Sequence, residues 1–210
     1  MFKTFVPVDR ISEPGVGFTW SDWDPYAAVG DPAADRIETL GGLSDRALVA
    51  YSVACAEWVV YRFSRLSSDQ APYLFLEALW VSGIDSRYRP PAESDESQWK
   101  GPIRGSIDLA LMTTLNAISS TDGGKPEVDA ALAEQIALHV CADKEPMRAW
   151  SARVLDRLAR HFSRTGDVGR TLGLPPQVFG EDFNLADIDA YMESYLAAVD
   201  LSANPFIERF

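Results

Sequence analysis

Three acidic residues interrupt otherwise apolar runs: Glu57 in CAEWVV, Glu77 in LFLEALW and Asp108 in SIDLAL. Carboxyls drawn into apolar surroundings have shifted pKa values. If they share one pocket, they suit acid/base work or metal ligation. Glu57 has Val53 and Tyr61 four residues to either side, so no cation on its own helix neutralises it, whereas Asp108 has Arg104 one turn earlier. A simpler reading closes the three with Arg62, Arg104 or the stripe Arg153, Arg157, Arg160 and Arg164. Arginines are plentiful and no nucleophile accompanies the acids. Pairing with arginine is therefore the expectation, and a catalytic or metal-binding cluster of Glu57, Glu77 and Asp108 is the alternative.

Other reactive side chains are few. At 100° per residue His139 lies about 20° from Val128, at the centre of an apolar helical face, and Cys141 points about 200° away. The two cannot share a metal. His139 reads as a core histidine satisfied by one hydrogen bond, and His161 as a ring packed along one side with an exposed tip. HExxH, ExxH, GxSxG, the phosphate-binding GxxxxGK[ST] and a GxGxxG after a strand do not occur. Cys55 sits in the most apolar segment, where a thiol is inert. Two cysteines supply neither a disulfide framework nor a cysteine-rich zinc site. No metal or cofactor is expected.

Binding chemistry is better represented. Nineteen Lys and Arg against 31 Asp and Glu leave a net charge of −12 over 210 residues and a pI near 4.5. Such a surface repels phosphate backbones and anionic lipid and attracts basic proteins. The expected partner is a basic protein, with no nucleic acid and no membrane. The charge is uneven: the window from Lys144 to Arg170 carries +4 and the rest of the chain −16. Arg153, Arg157, Arg160 and Arg164 in that window dock on the protein's own acids or, as a second option, bind acidic ligands as a regulatory module. Acidic Glu93, Asp95 and Glu96 cluster in a polar stretch and are further candidates for contact with a partner or ligand. Phe18 to Tyr26 (FTWSDWDPY) crowds large rings and acids together. There Trp20 and Trp23 either pin an N-terminal arm to the body or offer an aromatic platform to a partner.

The elements that hold these residues read as all-α. Residues 1–30 are broken by Pro7, Pro14, Gly15, Gly17 and Pro25 into an irregular arm, with a short edge strand in FKTFVPV. A single all-helical domain occupies 31–210, with a possible sub-boundary in the polar loop 86–102. Its predicted helices follow Asp31-Pro32, Ser44, Ser68-Asp69 with Pro72, Pro102, Pro126, Pro146 and the Asn184/Asp187 pair. Asp45 to about Leu66 is apolar on almost every side, as a central helix must be. About seven helices in antiparallel hairpins give a compact bundle or a short HEAT-like stack. No apolar run reaches the ~18 residues of a membrane span, and MFKTFVPVDR lacks a signal-peptide core. The expected compartment is the cytoplasm; the oligomeric state is left open.

Residues 43–118 contain Ala54-Cys55-Ala56-Glu57-Trp58-Val59, the acidic turn Ser68-Asp69, Pro72 with Glu77-Ala78-Leu79-Trp80, and a helix opening at Pro102-Ile103-Arg104-Gly105. In these motifs the segment resembles all-helical bacterial immunity proteins of polymorphic toxin systems. Trp58 departs from the likeness, standing where a polar ring is usual. The resemblance implies an inhibitor that blocks one cognate toxin by binding it, without catalysis. The acidic charge then suits a basic toxin. The expectation is an acidic, helical, non-enzymatic protein-binding protein.

Overall fold

The computed structural model describes residues 4, 6, 7, 11, 15–93, 100–167 and 171–210. The edge strand expected in FKTFVPV falls largely outside them, as do Asp95, Glu96 and Arg170. The described residues form eight α-helices: α1 (Pro25–Val29), α2 (Ala34–Leu40), α3 (Asp45–Arg62), α4 (Ala71–Ile84), α5 (Gly101–Ser120), α6 (Pro126–Val140), α7 (Glu145–His161) and α8 (Ile188–Ala198). The fold is all-α.

Helix α3 is the centre. Ser44 Oγ accepts the Ala47 N–H at 3.4 Å to cap it, and every residue from Ala47 to Val60 is buried. Alanines 47, 50, 54 and 56 let neighbouring backbones come close, and α4, α5 and α6 pack around them. From α7, Trp150 stacks on Tyr51 at 5.9 Å and meets Trp58 edge-on at 5.7 Å. Hydroxyls inside this core bond to helix carbonyls: Ser52 to Leu48 at 2.9 Å and Thr114 to Ala110 at 3.0 Å. Helix α6 touches α2, α3 and α5, which precede it in the chain, and α7, which follows it. In a solenoid each unit meets only its sequence neighbours. A helix wrapped by partners from both directions along the chain makes this a bundle.

The arm and the tail differ from expectation. Five residues of the arm form α1, because Asp24 Oδ1 accepts the Ala27 N–H at 2.9 Å, Pro25 leads the first turn, and Gly30 closes it at φ +80°. Asp31 does not cap α2. That helix starts three residues later behind Ala33, with no side-chain cap. Helix α3 stops at Arg62 instead of running to Leu66, and Phe63 to Ser67 continue as hydrogen-bonded turns. Inside the loop after α4, β1 (Tyr88–Arg89) pairs antiparallel with β2 (Glu208–Arg209), Tyr88 opposite Arg209 and Arg89 opposite Glu208. Arg89 lies over the Phe210 ring at 4.7 Å. The chain's last residues are thus pinned to the end of α4.

Candidate functional site

The aromatic arm lies across α5 and α6. His139 Nε2 bonds the Thr19 carbonyl at 2.9 Å, and its ring meets Phe18 at 5.2 Å. It makes one hydrogen bond, as expected, but is half-buried, clamping the arm instead of sitting in the core. The Trp20 indole packs against Gly105 of α5, where a Cβ would come within 2.4 Å of the ring. Only glycine permits that approach. The Trp20 Nε1–H donates to Asp22 Oδ1 at 2.7 Å, and the Gly101 N–H donates to the same oxygen at 2.8 Å. These two bonds, the Trp20 one first, hold the Asp22 carboxyl below its ordinary range.

Between arm and helix opens a cleft of about 650 Å³ lined by Trp20, Asp22, Trp23, Asp24, Tyr26, Lys100, Asp108 and Met112, among others. The two tryptophans singled out in the sequence have separate tasks. Trp20 fastens the arm, while Trp23 is 98% exposed. Asp108 belongs here, half-buried on the cleft wall. Arg104, one turn before it on α5, reaches Asp69 at 2.5 Å among its contacts.

Glu57 and Glu77 converge elsewhere. Both line a cavity of about 20 Å³ with Tyr61, Tyr73, Leu76, Trp80 and Tyr195 of α8. The partner of Glu57 is the Thr4 hydroxyl, and burial pushes its carboxyl up to about 8. Glu77 accepts from Asn204 Nδ2 at 2.9 Å, and burial raises its pKa too. The expected arginine pairing is corrected here. Arg62 donates to the carbonyls of Val140, at 3.1 Å, and Gly15. A neutral acid needs no cation, so Glu57 is tolerated inside by keeping its proton. The cavity has room for one water, where ligand sites take roughly 300 Å³ or more. Glu57 and Glu77 share a pocket that Asp108 does not join.

Of the arginine stripe only Arg157 turns inward; Arg153, Arg160 and Arg164 are exposed and each faces an acid of the same chain. Arg157 donates to the carbonyls of Val178, at 2.7 Å, and Gly180, and lies over the Phe183 ring. Burial lowers its pKa. Arg164 reaches Glu127 at 3.3 Å and Asp45 at 3.6 Å. Arg153 faces Glu181 at 3.5 Å, and Arg160 pairs with Asp156 on the surface. His161 is exposed, its ring against Phe162 and Phe183. Glu93 is exposed in the loop after β1.

One cluster escaped the sequence reading. Arg36 of α2 forks onto the buried Glu134 of α6 and bonds Ser151 Oγ of α7 at 2.7 Å. Ser151 donates to Glu134 Oε1 at 2.7 Å, and Tyr51 OH bonds Ser151 Oγ at 2.8 Å. Every polar atom of the serine is used. Glu134 interrupts AALAEQIAL as Glu57 interrupts its own run, so the same signal was present. Cys55, next to this cluster on α3, is buried, and burial holds its thiol well above the ordinary range. Among the described residues no group of three or more His, Cys, Asp or Glu is arranged to hold a metal ion. No described helix is long and apolar enough to cross a membrane. In comparisons with protein-family models, curated proteins and solved structures, none matched this chain.

Proposed function

We propose that this chain is a non-enzymatic, cytoplasmic protein-binding protein, acting as an immunity protein does by holding one basic toxin. The observation that carries the reading is Trp23, an indole 98% exposed at an acidic cleft on a chain of net charge −12. Exposed indoles anchor protein interfaces because their large apolar face gains from leaving water. Opposite charge on the partner steers and orients the encounter.

The enzymatic reading has one observation in its favour, the convergence of Glu57 and Glu77. The size of their cavity and the neutral state of Glu57 support a structural role instead. The test is co-purification of the tagged chain from its own cells at low salt. A single basic protein should be recovered, and it should dissociate as salt rises from about 50 mM to about 500 mM. Recovery of no specific protein, or of one indifferent to salt, overturns the reading.

A further inference from the structure

Resting on that partner-binding reading, we infer that the cleft between the arm and α5 receives an arginine side chain of the partner. Its walls are set before anything binds. Trp20 is seated on Gly105, Asp22 is tied to Trp20 and to the Gly101 amide, and Asp24 is tied to α1 as its cap. Within those walls lie two exposed aromatic rings, Trp23 and Tyr26, with three aspartates and one lysine. Lys100 acts on Asp22, and the lining as a whole carries two net negative charges.

Aromatic faces beside carboxylates are what a guanidinium recognises. The planar cation stacks on a ring while its N–H fork meets carboxylate oxygens. An ammonium has no fork and holds its water more tightly. At about 650 Å³ the cleft has the volume of a ligand site, enough for the side chain and neighbouring backbone of a partner segment. The net charge of −12 brings such a segment to the surface, and the cleft selects the residue that enters.

The test follows the tryptophan indole N–H signals of the full chain by NMR during titration with the peptide Gly-Arg-Gly-Arg-Gly. Matched peptides carry citrulline or lysine at the arginine positions. The arginine peptide should shift the Trp23 signal saturably, with the citrulline peptide at least about tenfold weaker and the lysine peptide in between. Trp23→Ala, which removes a side chain 98% exposed, should weaken the arginine peptide about tenfold as read from the Trp20 indole N–H in the same cleft, and Asp108→Asn several-fold. Equal shifts from arginine and citrulline, or full binding by Trp23→Ala, overturn the inference. So does a lysine peptide that binds as well as the arginine one. If Trp23→Ala still co-purifies the basic partner with unchanged salt dependence, the partner-binding reading stands and the cleft is removed from it.

Discussion

Glu57 shows how one side chain sets the pH response of this protein. In the unfolded chain it ionises near 4.5, and in the fold near 8. Between those values the folded protein holds a proton that the unfolded chain has released. Stability therefore falls as pH rises from about 4.5 to about 8, and levels off above. At about 1.4 kcal/mol per unit, the loss reaches at most about 5 kcal/mol. Glu77 shifts in the same direction. Glu57→Gln keeps the shape and the Thr4 contact without the titration. Its urea midpoint should change much less between about pH 5 and pH 8.5 than that of the unmodified chain, and it should be the more stable of the two at the higher pH. An unchanged slope would mean that Glu57 ionises as an ordinary surface acid. Glu134 makes the opposite case, a buried charge held by the fork of Arg36 and the Ser151 hydroxyl. Glu134→Ala strands that guanidinium beside a cavity and should cost about 2–4 kcal/mol in chemical denaturation. Glu134→Gln, which keeps the volume, should cost less.

Among the elements, the arm and the tail depend most on contacts far away in the chain. Gly105→Ala puts a methyl into the Trp20 indole and should lift the arm from α5. The expected result is faster amide hydrogen exchange at Gly101, whose N–H bonds Asp22, with protection in α3 unchanged. Unaltered exchange at Gly101 would show that the arm accommodates the methyl. The tail is held by Asn204, which donates to the Leu74 carbonyl at 2.8 Å and to Glu77. Asn204→Ala should free the β1–β2 pairing in the same assay. The short helix α1 was legible in advance, since Asp24-Pro25 followed by Gly30 is a cap, a first-turn proline and a stop. Its signal is short, because the prolines and glycines around it break any longer period. The pairing of β1 with β2 was not legible, because two residues carry no alternation and their partners lie about 120 positions away.

For the molecule as a whole, charge sets two salt responses of opposite sign. Repulsion within a chain of net charge −12 is screened by salt, so thermal stability should rise between about 50 mM and about 500 mM NaCl. Attraction to a basic partner is screened over the same range, so binding should weaken as the melting temperature climbs. Parallel melting and binding series would separate the two, and a melting temperature that falls with salt would count against a repulsive surface.

The helical class, the wholly buried α3 and most helix starts could be read from residue order alone, because caps, first-turn prolines and apolar periodicity act within a few positions of one another. Charge balance is likewise additive and ignores folding. The companions of each acid are of another kind. Glu57 and Glu77 meet a hydroxyl and an amide at opposite ends of the chain, Asp108 faces a cleft made by the arm, and Glu134 takes its arginine from 98 positions away. Helices pack through their faces, and the order in which those faces meet belongs to three dimensions. Which carboxyl stays neutral, which takes the fork of an arginine and which lines the cleft was therefore decided only when the helices packed.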